Sequence, residues 1–215
     1  MRSENALVDI AAIAALAPVI PVLTIERASD AVPLARALAR GGLRALEITL
    51  RTDAALEALA AIARDVPEAV PGVGTVLSPA QFSQARTAGA RFAVSPGSTV
   101  ELMAAAQFAQ LPYLPGVQTV SEAMAVAAEG FKLLKFFPAD AAGGVTWLKA
   151  VAAPLAGLRF CPTGGVGLAT APDYLALANV ACVGGSWVAP KDAVAAGDWN
   201  RVERLAAEAA ALKRR

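Results

Sequence analysis

Lys135 interrupts an apolar run, Phe131-Lys132-Leu133-Leu134-Lys135-Phe136-Phe137-Pro138, that reads as a buried β-strand stopped by proline. An ammonium in such a run is costly, and burial favours the neutral amine, which can attack a carbonyl and form a Schiff base. The chain has only five lysines against fourteen arginines, so a lysine in this position is a choice. Lys132 reads as the solvent-end or helix-facing alternate of the same strand. A second candidate group lies in Leu46-Glu47-Ile48-Thr49-Leu50-Arg51, where alternation puts Glu47, Thr49 and Arg51 on one side. A carboxylate and a guanidinium then share a face, either as catalytic groups or as an ion pair that satisfies itself. Small residues end two further runs, Gly72-Val73-Gly74-Thr75 and Ser95-Pro96-Gly97, and would let a ligand approach the backbone closely. Phe160-Cys161-Pro162-Thr163-Gly164-Gly165 and Val183-Gly184-Gly185-Ser186 each end in a glycine turn, and two in succession offer backbone amides to an anion such as phosphate.

Composition removes many other chemistries. Histidine is absent, which excludes Ser-His-Asp and Cys-His nucleophiles, His-ligated zinc and any His general base. A net charge of +1 gives no footprint for nucleic acid, and the basic tail Lys213-Arg214-Arg215 reads as a solvated helix end. Cys161 and Cys182 lie in apolar runs and read as small buried core residues, in keeping with a reducing cytoplasm. The apolar stretch 10–25 follows Glu4 and Asp9, the wrong charges for a leader, and contains Pro18 and Pro21. It is short for a membrane span and reads as a first helix running into a first strand.

These groups need a scaffold that gathers them. With 215 residues, 56% of them hydrophobic, the chain can bury a large core as one domain over 1–215. Strands are expected at 19–25, 43–50, 69–74, 91–95, 113–115, 131–137, 158–162 and 180–184. Helices are expected at 29–40, 53–64, 78–88, 100–108, 120–129, 144–153, 171–177 and through 212, with an extra N-terminal helix at 10–16. Ser29, Asp53, Ser78, Thr119 and Asp198 are the expected N-caps, and Gly41-Gly42, Gly89 and Gly130 the stops. Strands recur about every 23 residues, the length of one β/α unit, which predicts a single-domain TIM (β/α)8 barrel. An open doubly wound sheet is the rival, but no G-x-G-x-x-G follows the first strand. In a barrel, all the groups above sit at the C-terminal ends of strands and face one mouth.

The segments 46–52, Gly72-Val73-Gly74-Thr75-Val76-Leu77, Ser95-Pro96-Gly97, Lys135-Phe136-Phe137-Pro138-Ala139, Cys161-Pro162-Thr163-Gly164-Gly165 and Gly184-Gly185-Ser186-Trp187 occur in order along most of the chain. On them the sequence resembles the 2-keto-3-deoxy-6-phosphogluconate (KDPG) and 4-hydroxy-2-oxoglutarate (KHG) aldolases, with Val73 where the family often has Ala and Asp140 where it often has Glu. The resemblance implies that Lys135 is the Schiff-base lysine and Glu47 the general acid/base. It implies that Arg51 and Thr75 hold the keto-acid carboxylate and nearby oxygens, with Pro96, Phe137 and Thr163 lining the pocket. Gly164, Gly165, Gly185 and Ser186 would bind phosphate. No metal or cofactor is called for, since the imine serves as electron sink, and the family implies a homotrimer. A 6-phosphogalactonate-derived substrate, a phosphate-binding barrel isomerase, or a binding protein in which Lys135 is only a counter-ion are the alternative readings.

Overall fold

The structure, a computed structural model, describes residues 9–214; Glu4 and Arg215 lie outside them. Nine strands occur among these residues: β1 Val19–Leu23, β2 Ala45–Thr49, β3 Val70–Gly74, β4 Ala93–Val94, β5 Tyr113–Leu114, β6 Gly116–Val117, β7 Leu133–Phe136, β8 Arg159–Pro162 and β9 Val183–Gly185. All ladders are parallel. One sheet runs β5-β4-β3-β2-β1-β9 and the other β6-β7-β8. Parallel bridges Phe160↔Val180 and Thr163↔Gly184 join β8 to β9. The seam between β5 and β6 is Pro115, which has no N–H to give but accepts from Lys135 N at 2.8 Å. The expected fifth strand is thus one passage of chain counted as two strands, and the sheets close into the (β/α)8 barrel.

Strand parity separates two cores. Ile20, Ala45, Phe92, Val94, Leu114, Leu133, Cys161 and Cys182 pack inside the barrel, and α1 (Ile10–Ala15) closes its base with Ile13 and Ala14. Val19, Leu46, Ile48, Leu134, Phe136, Phe160 and Val183, the alternate residues, pack outward against the helices. Cys161 and Cys182 are free buried thiols, as expected; a hydrogen bond with Cys161, then burial, pushes the Cys182 thiol well up.

The outer helices are α2 Ala31–Arg40, α3 Ala55–Asp65, α4 Pro79–Thr87, α5 Val100–Phe108, α6 Val120–Ala128, α7 Gly144–Val151, α8 Ala171–Leu175, α9 Lys191–Ala196 and α10 Trp199–Ala210. Thr119 and Asp198 cap α6 and α10 as expected, accepting from Glu122 N and Arg201 N. Ser78 begins α4, with Gln81 Oε1 accepting from the Ser78 amide at 3.1 Å. Ser29 and Asp53 do not cap. A 3-10 turn over Ala28–Asp30 moves the start of α2 past Ser29, and α3 starts behind Ala54. Gly42, Gly89 and Gly130 follow their helices at φ 95°, 92° and 94°, where glycine is favoured. The C-terminal helix is two helices, because Gly197 at φ 67° stops α9. Nor is its end merely solvated: Arg214 donates to the carbonyls of Ala14, Ala15 and Ala17 and so ties the tail to the C-terminus of α1. Among the described residues no helix is long and apolar enough to cross a membrane.

Candidate active site

The two central groups come from β7 and β2, and parity aims both. Lys135 shares the inward face with Leu133, while Leu134 and Phe136 face the helices. Glu47 likewise shares a face with Ala45, between outward Leu46 and Ile48. Lys135 Nζ lies 3.2 Å from Glu47 Oε1, and the residues are 5% and 2% exposed. Such a pair, hydrogen-bonded and shielded from water, can pass a proton between amine and carboxylate. The Lys135 ammonium also sits 5.2 Å from the centroid of the Phe137 ring. Lys132 is exposed at the start of the same run, its solvent end.

Glycines make the room these side chains occupy. A Cβ on Gly74 would overlap Glu47 Oε1, and one on Gly184 would overlap Thr163 Oγ1. The small residue expected to admit a ligand at the third strand therefore admits the carboxylate itself. Gly116 does the same for the backbone of Pro96. Thr75, directly after β3, has φ 60°, an unusual conformation for a β-branched residue that costs on the order of 1–3 kcal/mol.

A cavity of about 190 Å³ opens over the pair at the C-terminal ends of the strands. It gathers every site residue named from the sequence: Lys135 and Glu47 at the floor, Arg51, Thr75, Pro96, Phe137 and Thr163 on the walls, and Gly164, Gly165, Gly185 and Ser186 along one side. Gly164 and Gly165 adopt φ 96° and 77°, and a Cβ on Gly165 would overlap Asp140. Successive left-handed residues make a concave turn suited to an anion. Gly185 also packs against the Trp187 ring, which leaves no room for a side chain. Val22, Thr49, Val166 and Gly184 line the cavity too and are assigned no site role from the sequence. Alternation already places Thr49 on the side of Glu47, and Gly184 belongs to the second glycine turn; Val22 and Val166 are apolar residues without a chemical signal. Glu47 and Arg51 do not form the self-satisfying pair that their spacing allows. Glu47 goes to Lys135, and Arg51 Nη2 donates to Thr24 Oγ1 at 3.0 Å. A larger cavity of about 730 Å³ lies at the other end of the barrel, near Ile10, Phe131 and Lys132, but the buried acid–base pair is in the smaller one.

A closed parallel barrel with a buried lysine–glutamate pair at its mouth, below glycine turns, is the architecture of a class I aldolase. The comparisons narrow this to a family. The family model for KDPG and KHG aldolase matches residues 10–205. The chain is 52% identical to the KHG/KDPG aldolase of Escherichia coli K12 over 192 residues, 89% of this chain and 90% of that protein. A structure of the Legionella pneumophila KDPG aldolase, with pyruvate captured as a covalent carbinolamine, superposes with a TM-score of 0.91 at 45% identity, covering 94% and 98% of the two chains. The Zymomonas mobilis KDPG aldolase with 3-phosphoglycerate also gives 0.91 at 45% identity, covering 97% and 98%. The chain belongs to the KDPG and KHG aldolase family.

Proposed function

We propose that this chain cleaves 2-dehydro-3-deoxy-6-phosphogluconate to pyruvate and glyceraldehyde 3-phosphate, and also 4-hydroxy-2-oxoglutarate to pyruvate and glyoxylate. The observation that carries this reading is the 3.2 Å pair of Lys135 Nζ and Glu47 Oε1, buried at the barrel mouth. Glu47 takes a proton from the Lys135 ammonium, and the neutral amine attacks C2 of the keto acid. The carbinolamine loses its hydroxyl as water, with Glu47 returning the proton, and an iminium forms. Glu47 then takes the proton of the C4 hydroxyl as the C3–C4 bond breaks. The bonding electrons pass into the iminium, giving an enamine and releasing the aldehyde. Protonation at C3 and hydrolysis free pyruvate and restore Lys135.

The remaining assignments follow the cavity wall. Arg51 and Thr75 hold the substrate carboxylate, Pro96, Phe137 and Thr163 shape the pocket, and Gly164, Gly165, Gly185 and Ser186 receive the phosphate. The whole chain, 1–215, acts as one aldolase domain in the cytoplasm, as a homotrimer. One related structure, 25% identical with a TM-score of 0.77, is a cage designed by fusing symmetric oligomeric domains, which supports oligomerisation. A 6-phosphogalactonate substrate is less favoured: the KDPGal structure is 27% identical, against 44–52% for the curated relatives named for KDPG.

The test is intact mass and peptide mapping after incubation with pyruvate and borohydride. The expected outcome is a pyruvate adduct on the peptide holding Lys135, absent in Lys135→Ala. No adduct in the wild type would return the isomerase and the plain binding protein to the front.

A further inference from the structure

The hydrogen bonds behind Arg51 form a chain with a fixed direction. Arg51 Nη2 donates to Thr24 Oγ1 at 3.0 Å, Thr24 Oγ1 lies 3.3 Å from Thr49 Oγ1, and Thr49 Oγ1 lies 2.8 Å from the Leu23 carbonyl oxygen. A carbonyl only accepts, so the Thr49 hydrogen points to Leu23; a guanidinium only donates, so Thr24 accepts from Arg51. The Thr24 hydrogen is left for Thr49. The relay therefore runs one way, from the cation to a backbone carbonyl, and each bond polarises the next. Its far end is rigid. Thr49 and Leu23 are each 1% exposed, and Leu23 pairs with Ile48 in the β1–β2 ladder, next to the Val22↔Glu47 pairing.

We propose that Thr24 is a positioning residue for substrate recognition, its hydroxyl fixing the Arg51 guanidinium in the orientation that receives the carboxylate of a 2-keto acid. The inference rests on the reading above, in which Arg51 binds that carboxylate. An arginine side chain is long, and Arg51 is exposed, so without an anchor it would lose much rotamer freedom when substrate arrives. One donor held on Thr24 leaves the rest of the planar fork to meet a planar carboxylate. Thr24 does not line the cavity over Lys135, so its contribution is to binding and not to the imine chemistry.

Thr24→Val removes the hydroxyl with little change in shape, and Thr24→Ser restores it. Each protein is titrated with pyruvate in the borohydride reaction, with adduct read by intact mass, and KM and kcat are measured on the phosphorylated keto acid. The valine variant is expected to need roughly tenfold more pyruvate for half-maximal adduct, and to show a similar rise in KM with kcat within about twofold of wild type. The serine variant is expected to return both to within about twofold of wild type. If Thr24→Val does not fold, Thr24→Ala provides the same titration. A wild-type pyruvate dependence in the hydroxyl-free variant overturns the relay, as does a serine variant as impaired as valine. Absence of adduct in the wild type itself would instead sink the aldolase reading, and the proposal with it.

Discussion

Gly74 and Glu47 are separate residues of one device. The glutamate can reach 3.2 Å from Lys135 only because the neighbouring strand presents no side chain at Gly74. Gly74→Ala is expected to push the carboxylate off line while leaving the barrel folded, and to lower kcat roughly a hundredfold, the scale of a misplaced acid–base group. Steady-state kinetics beside a thermal melt check this; wild-type turnover would show that the position of Glu47 is not needed. Thr75 poses the opposite case. Its φ of 60° would suit glycine, so Thr75→Gly is expected to raise stability by about 1 kcal/mol in denaturant unfolding while weakening binding of the keto acid. A residue held in a costly conformation beside the buried pair is consistent with the substrate role given to it here.

At the level of elements, helices enter the barrel through their caps, and α6 gives a pH-dependent example. Glu122 accepts from the amides of Gln118 and Thr119 at 2.6 and 2.9 Å, and these bonds hold its carboxyl below the usual carboxylate range. A lowered folded-state pKa means the stabilisation is complete above the unfolded value and is lost as pH falls through the folded one. Glu122→Gln is therefore expected to melt about 1–2 °C below wild type near neutral pH, with the gap closing as pH falls below the ordinary glutamate range and through the lowered folded-state value. A gap that stays constant would show that the charge at Glu122 plays no part. The same scale explains where sequence reading succeeded with caps and where it failed. The Thr119 and Glu122 pair is a local four-residue pattern, visible without any tertiary information. Ser29 and Asp53 have suitable side chains too, but a 3-10 turn and a later helix start place them outside the capping position. Hydroxyl and carboxylate side chains favour turns as readily as caps, so residue type alone does not decide between them.

For the whole molecule, the barrel brings the glycine turns after β8 and β9, the proposed phosphate subsite, to one cavity with a lysine on β7 and a glutamate on β2. Binding energy from the distal phosphate can then orient the reacting bond. An unphosphorylated 2-keto-3-deoxy sugar acid is expected to lose turnover as well as affinity, with kcat/KM lower by on the order of a thousandfold; equal processing of both substrates would make the glycine turns structural only. Association is the other property of the whole molecule. Phe108, Val100 and Leu77 are 88%, 67% and 65% exposed, apolar area that a trimer would use. Light scattering is expected to return three times the 21.8 kDa chain mass, and a monomer would refute the assembly.

Period and local chemistry were enough for the sequence alone to determine a good deal. Strand spacing near one β/α unit implied the closed barrel, and alternation within 131–137 and 46–51 put Lys135 and Glu47 on the inward face. Glycine doublets at the ends of two later strands were legible as turns that admit close approach: Gly164 and Gly165 take positive φ, whereas Gly184 and Gly185 make room for Thr163 and Trp187. What only the tertiary structure decided was which side chains meet. Glu47 lies in β2 and Arg51 in the turn just after it, and nothing in their spacing says that the glutamate turns to Lys135, 88 residues away, while the arginine turns to Thr24. Nor could spacing reveal that Gly74 exists for Glu47, that Pro115 divides one strand into two, or that Arg214 returns to the end of α1. Periodicity acts along the chain and fixes the face a residue presents; partners are set by strand register and ring closure, which join residues far apart in sequence.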